Sequence, residues 1–437
     1  MEIVAQIEKN ILQVLGEEAD SLARQTQLVK RQRKISGSTF ARILITAVLD
    51  NPLPSYTDLS QDAALLGVPI TPQGLELRFT PEAAQFMREI LSRLVERVIT
   101  AISPATLPIL QRFNGVYIRD STVISLPAEL AGIWPGCGGS AGDTAALKLQ
   151  VRLNYATGQL EGPALQSGRQ HDRSTPYGPE GEPAGSLELA DLGYFSLAEL
   201  QQRQEQGQFF LTRYKIGTAL YTPQGEPLDL LQWLTQEVTT YGERPVLLGS
   251  QERIPVRLIA FRVSQEVADR HRQRLREYAR KKGVTLRRET LLLAGWIILL
   301  TNVPEEKMMP REALVMARVR WQVEILFRVW KSHARIDEWR SHNPWRILCE
   351  LYAKLAGQVI LHWMLLTEWH RFPDRSLFKA AKALQKLAIP LALSLRQGKW
   401  LVELIFLFQE CFHTCRVNKR RRKPATFQLL LGLEGLT

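Results

Sequence analysis

The hydrophobic periodicity of the chain changes character twice, and this confines it to a mixed architecture. Residues 1 to about 105 repeat at helical spacing. Glu2–Leu15 does so, and Pro81–Ile102 carries Ala84, Phe86, Ile90, Leu91, Leu94, Val98 and Ile99 on one face. From Gly115 short β-rich runs take over: Val116–Arg119, Leu147–Leu153 and Gln159–Ala164, with Ala156-Thr157-Gly158 the clearest turn. The polar stretch Gly168–Gly185 reads as a loop. A strand over Leu187–Leu192, a helix over Ser196–Gln206 and a strand over Phe209–Tyr214 follow. Further strands are expected at Val246–Leu248, Val256–Val263 and Leu291–Leu300, with a basic helix Gln265–Lys282 among them. From Arg311 onward the pattern is helical again. Strands first, then alternating strand and helix, imply an α/β layer on a mixed sheet with helical regions before and after it.

Charge narrows the partners. Lys and Arg exceed Asp and Glu by 12 over 437 residues, and the surplus is clustered in Arg272–Lys282, Arg311–Arg346 and Lys419–Lys423. Clustered cations favour polyanions through counterion release and electrostatic steering. A hydrophobic share of 45% excludes a disordered or collagen-like chain. Cys137, Cys349, Cys411 and Cys415 are too scattered for a disulfide framework, which points to a reducing compartment. Met1-Glu2-Ile3-Val4 lacks the apolar core of a signal peptide, and no apolar run approaches the roughly 18 residues of a membrane span. The expectation is a cytoplasmic, nucleoid-associated protein. Asp58–Val68 followed by Thr71-Pro72 reads as a helix, a Gly67 turn and a capped second helix, either a helix-turn-helix contact to DNA or a plain bundle.

Three acids stand out. Asp120 follows the strand Val116–Arg119, and Asp191 follows a later strand; each reads as a rim metal ligand or as a turn former. Glu324 lies in Arg320-Trp-Gln-Val-Glu-Ile-Leu-Phe-Arg328-Val-Trp-Lys331. Helical spacing groups Ala317, Arg320, Glu324, Arg328, Lys331 and Arg335, with Val319, Val323, Leu326 and Trp330 opposite. That face is either a solvated stripe with one acid paired to arginines, or an acid holding a divalent cation while Arg320 and Lys331 grip phosphates. Cys411-x3-Cys415 with His413, and His171-Asp172, are weaker metal candidates. No Walker-type phosphate loop is present, which argues against an ATPase.

Together these residues resemble the DDE transposases of the insertion-sequence-four family. The likeness rests on Asp120-Ser121-Thr122, on Asp191-Leu192-Gly193-Tyr194-Phe195, on Thr301-Asn302 and on Arg320-x3-Glu324-x6-Lys331. One position departs: Ala317 stands where the family signature has tyrosine, a residue expected to contact the backbone near the cleaved end. The resemblance implies an RNase H-like mixed sheet with a β-rich insertion, flanked by an N-terminal helical domain and C-terminal helices. It divides the chain into a helical DNA-binding domain (1–105), a catalytic core (106–214 and 301–345), an insertion (215–300) and a C-terminal helical region for dimerisation (346–437).

The same resemblance assigns catalysis and metal binding to Asp120, Asp191 and Glu324, with two Mg²⁺ or Mn²⁺ ions about 3.5–4 Å apart. DNA contacts are expected from Arg320, Lys331, Arg328, Arg213 and Trp296, the last by stacking on a flipped base. The implied reaction cuts at the ends of an insertion sequence and joins the 3′ ends to target DNA, with a homodimer on paired ends. A catalytically weakened DNA-binding derivative and a metal-dependent nuclease are the alternatives.

Overall fold

The computed structural model describes residues 2–31, 34–99, 106–138, 144–368, 372, 374–418 and 424–433. The basic run Lys419–Lys423 lies outside the described residues. The chain divides into two units, each built from separated segments. One takes residues 1–106, 120–176 and 321–428; the other takes 107–119, 177–320 and 429–437.

In the first unit the central element is the helix Pro344–Leu366, buried on every side from Arg346 to Leu366. A helix buried all round belongs inside a bundle; this one packs against Gly37–Asp50 and Pro81–Glu96 and carries a buried polar line, Arg346, Glu350, Lys354, Gln358 and His362, among its apolar residues. Asn343 caps it and Pro344 opens it, where a missing N–H costs nothing. Gly357 lets the helices close up, since a Cβ there would meet Leu49 Cδ2 at 3.0 Å. The expected helix, Gly67 turn and capped second helix are present in this segment. Ser55 and Asp58 form a capping box on Tyr56–Leu65, Gly67 turns at φ +82°, and Thr71 caps Pro72–Glu76. The second helix is only five residues long.

Nine strands are present among the described residues: β1 (Val116–Leu126), β2 (Ala145–Asn154), β3 (Leu160–Ser167), β4 (Leu187–Ala190), β5 (Phe209–Arg213), β6 (Leu220–Tyr221), β7 (Tyr241–Leu248), β8 (Ile254–Arg262) and β9 (Trp296–Thr301). Their order is β3-β2-β1-β4-β5-β9-β8-β7-β6. β1, β4 and β5 run parallel, whereas β2–β3 and the β5-β9-β8-β7-β6 stretch pair antiparallel. This mixed sheet with helices at both ends of the chain agrees with the expected RNase H-like core. In the second unit Phe210, Leu230, Trp233, Leu258 and Leu300 form the core beneath the antiparallel strands.

Three expectations need correction. β1 does not stop at Arg119 but continues to Leu126, so Asp120 lies within the strand. The apolar run Leu291–Leu300 is not one strand: a helix Arg288–Leu293 ends at Ala294-Gly295, and β9 starts at Trp296. Hydrophobicity alone does not separate a buried helical turn from a strand. The run Leu377–Ile389, whose apolar pattern in the sequence is that of one C-terminal helix, breaks at Leu387 into two. The basic helix Gln265–Lys282 forms as expected, capped by Ser264 and ended by Gly283 at φ +63°.

Candidate active site

Continuous burial along β1 ends at Arg119. Val116–Arg119 are buried, and Asp120, Ser121 and Thr122 are half-buried. Asp120 Oδ1 accepts from the Ser121 N–H at 2.8 Å. Ser121 Oγ in turn donates to Asp172 at 2.8 Å, and Lys148 of β2 donates to the same carboxylate at 2.9 Å. Burial pushes the Asp172 carboxyl up, but these two hydrogen bonds outweigh it and hold the group below its usual range. Asp172 had only weak claims from sequence; here it steadies the segment that carries Asp120.

Facing that segment within the same unit is the helix Trp321–Ser332. Val323, Leu326, Phe327, Val329 and Trp330 are buried, which leaves Glu324, Arg328 and Lys331 toward a cavity of about 730 Å³ shared with Asp120, Ser121 and Thr122. Lys331 Nζ reaches the carbonyl of Val123 at 3.4 Å. The expected stripe is shorter than its spacing suggested. Arg335 lies beyond the helix at φ +48° and pairs with Glu338 at 3.0 Å. Ala317 sits half-buried on the preceding helix, Pro310–Val319.

The other unit holds Asp191. It caps the short turn Leu192–Tyr194, accepting from the Gly193 N–H at 3.4 Å, and Arg320 Nε lies 3.6 Å from its Oδ1. Beneath it runs a buried ionic network that sequence reading missed. Arg119 bonds Glu188 and Glu199, donates to the Tyr177 carbonyl at 2.7 Å, and lies 5.1 Å from the Tyr194 ring centre. Arg203 bonds Glu188 at 2.8 Å and Glu182 at 2.6 Å. Burial pushes the Arg119 pKa down, but Glu188 and Glu199 outweigh it and hold the group above its ordinary value. No sequence signal brings these partners together, because Arg119 and Glu188 are 69 residues apart. Only the β1–β4 register, Tyr117 opposite Glu188, does so.

The remaining candidates fall in this second unit. Arg213 ends β5 in an exposed position opposite Leu299 of β9. Trp296 opens β9, half-buried against the core, with the Arg262 guanidinium 5.8 Å from its ring centre. Thr301 and Asn302 work as a clasp: Thr301 Oγ1 donates to the Phe210 carbonyl at 2.6 Å, and Asn302 Nδ2 donates to that of Gln208 at 2.9 Å. Among the described residues no group of three or more His, Cys, Asp or Glu side chains gathers to hold a metal, and Cys411 and Cys415 are free thiols. No described helix is long and apolar enough to cross a membrane.

A mixed sheet flanked by helices, with acids on β1 and after β4, has the outline of an RNase H-like nucleic-acid enzyme. The transposase DDE domain matches residues 111–358, more than half of the chain. The chain therefore belongs to the DDE transposase family. Similar curated proteins include the transposase for insertion sequence element IS231B of Bacillus thuringiensis subsp. berliner, 29% identical over 77% of this chain and 75% of its own length. The transposase for IS1151 of Clostridium perfringens is 24% identical over 80% and 78% respectively. That for IS421 of Escherichia coli is 25% identical over 82% and 93%.

Proposed function

We propose that this chain cuts DNA at the ends of an insertion sequence and joins the freed 3′ ends to target DNA, with Asp120, Asp191 and Glu324 as the catalytic acids. The observation that carries the proposal is a shared cavity in which Asp120 and Glu324 face Arg328 and Lys331, in a chain of the DDE transposase family. Carboxylate oxygens are the donors that hard divalent cations prefer; Asp120 and Glu324, which share the cavity, suit Mg²⁺ or Mn²⁺, and Asp191 is the proposed third ligand, two ions being expected. Such ions would activate the attacking oxygen and stabilise the leaving one in an in-line displacement.

The protein's own groups do the positioning. Arg328 is exposed beside the acids and Lys331 is half-buried, tied to β1; both suit phosphate oxygens on either side of the scissile bond. Arg320 lies 3.6 Å from Asp191, and a bound phosphate would compete with that carboxylate for the guanidinium. Lys148, Asp172 and Ser121 keep the backbone that bears Asp120 in one position. Arg213 and Trp296 are the proposed contacts to the DNA end, the tryptophan by stacking. Two copies acting on paired ends complete the reaction, and sedimentation of the chain with end-bearing duplexes tests that stoichiometry.

Glu324→Gln and Asp120→Asn are expected to abolish strand cleavage while metal-free duplex binding persists. Retained cleavage in either variant would overturn the assignment. Joining of 3′ ends to a second duplex separates a transposase from a nuclease. Ala317 favours a second reading, a weakened derivative that grips DNA without cutting it. If Ala317→Tyr restores cleavage to an inactive wild type, that reading stands.

A further inference from the structure

Most of the chain's excess charge sits in one short stretch. Between Arg270 and Arg288 there are nine Lys and Arg against one Glu, a surplus of eight where the whole chain has +12. The stretch comprises most of the helix Gln265–Lys282, its Gly283 cap and the start of the next helix, all between β8 and β9 in the second unit. None of these residues belongs to the proposed catalytic set.

The geometry separates an anchored side from a presented one. Ala268 and Ala279 are buried; Arg272 Nε donates to the Leu291 carbonyl at 3.1 Å, and His271 Nδ1 lies 3.2 Å from that of Ala294. The rest of the helix surface exposes Arg270, Arg274, Arg276, Arg280, Lys281 and Lys282, with Glu277 as the acid among them. Arg270 is paired with Glu266 at 3.4 Å. Among the described residues no ion pair neutralises Arg274, Arg276, Arg280 or Lys281.

Ordinary helix stability does not account for this. One or two cations in the last turn complement the helix dipole, and Lys282 with Arg280 suffices. The like-charged i,i+4 pairs Arg270/Arg274, Arg272/Arg276 and Arg276/Arg280 work against the helix. Such self-repulsion is relieved by a polyanion lying along the face. From Arg270 to Lys282 the helix rises about 18 Å, and B-DNA offers roughly one phosphate per 1.7 Å of axis over both strands. Over that length a duplex presents about ten phosphates, enough to engage every exposed cation of the helix.

We infer that the exposed face of Gln265–Lys282 is a phosphate-binding surface for duplex DNA, built from residues outside the proposed catalytic set. It reads backbone and not sequence, because arginines spread along a solvent-facing helix contact phosphates in any register. The inference rests on the chain handling DNA, but not on which acids do the chemistry.

The test uses the full chain, a random-sequence duplex of about 30 base pairs, EDTA, and fluorescence anisotropy across a salt series; each phosphate contact contributes about 0.9 to the log–log salt slope. The variant combining Arg274→Gln, Arg276→Gln, Arg280→Gln and Lys281→Gln should bind at least tenfold more weakly near 0.1 M salt. Its slope should be shallower by about 3–4. All four side chains are exposed, so circular dichroism should stay that of wild type. A control removes the same charge elsewhere, through Lys9→Gln, Lys382→Gln, Lys386→Gln and Lys399→Gln, and should keep the wild-type slope. An unchanged slope in the helix variant overturns the inference and leaves the face to an acidic protein partner. An equal shift in both variants also overturns it, since the charge would then act as a diffuse field. Glu324→Gln run alongside keeps the two readings apart. It should bind with the wild-type slope and fail to cleave; if it cleaves, the catalytic assignment falls while the slope result stands.

Discussion

At the residue scale, Arg119 shows how one buried side chain can serve two strands. It is 1% exposed, and its guanidinium is shared between the acids of β4 and of the following helix. Removing one partner of a buried ionic cluster leaves charge without compensation, which typically costs about 3–5 kcal/mol. Arg119→Ala should lose that much stability in denaturant titrations, with Arg119→Lys losing less. His362 gives a pH signature. It is buried with Nε2 2.7 Å from the Gly158 carbonyl, and burial pushes its pKa down to about 4. The unfolded chain takes up a proton near the ordinary imidazole pKa of about 6.5, while the folded protein resists until about pH 4. The contribution is therefore intact above pH 6.5 and is lost as pH falls toward 4. His362→Gln, which keeps a donor for Gly158, should flatten that limb of the stability–pH curve.

At the element scale, the helix Trp321–Ser332 separates packing from chemistry by face. Leu326→Ala should cost about 2–5 kcal/mol through the cavity it leaves. Arg328→Ala should stay within about 0.5 kcal/mol, as exposed positions do, and any effect should appear in DNA binding. The comparison also shows what sequence alone can carry. The buried and open sides of this helix follow from 3.6-residue spacing, and the cap at Thr71 from its hydroxyl before Pro72, because both signals are local. Where the strand bearing Asp120 ends was not legible, since β1 continues only by pairing with distant partners. Nor could the Leu291–Leu300 run reveal its helix-to-strand switch, which Ala294-Gly295 sets. The proximity of Glu324 to Asp120 came from resemblance to a family, whereas the Lys148–Asp172–Ser121 support had no local signature.

At the scale of the whole molecule, each unit is assembled from segments far apart in sequence. The helix Pro344–Leu366 supplies the inner wall against which Gly37–Asp50 and Pro81–Glu96 pack. A chain ending at Arg320 should leave those two helices without that wall, and amide hydrogens in Gly37–Asp50 should then exchange rapidly where the full chain protects them. Hydrogen–deuterium exchange by mass spectrometry would show it; protection retained in the shortened chain would mean the N-terminal helices are self-sufficient.

The interleaving of segments has a consequence on the ribosome. Asp120 and Glu324 are separated by 204 residues. At about 5–20 residues per second of synthesis, that is roughly 10–40 s between their translation. The unit holding both acids also needs residues as late as 428. The cavity that Asp120 and Glu324 share is therefore unmade until the later segment has emerged, and under the proposed function a gene copy with a stop codon before Glu324 yields no fragment able to cut.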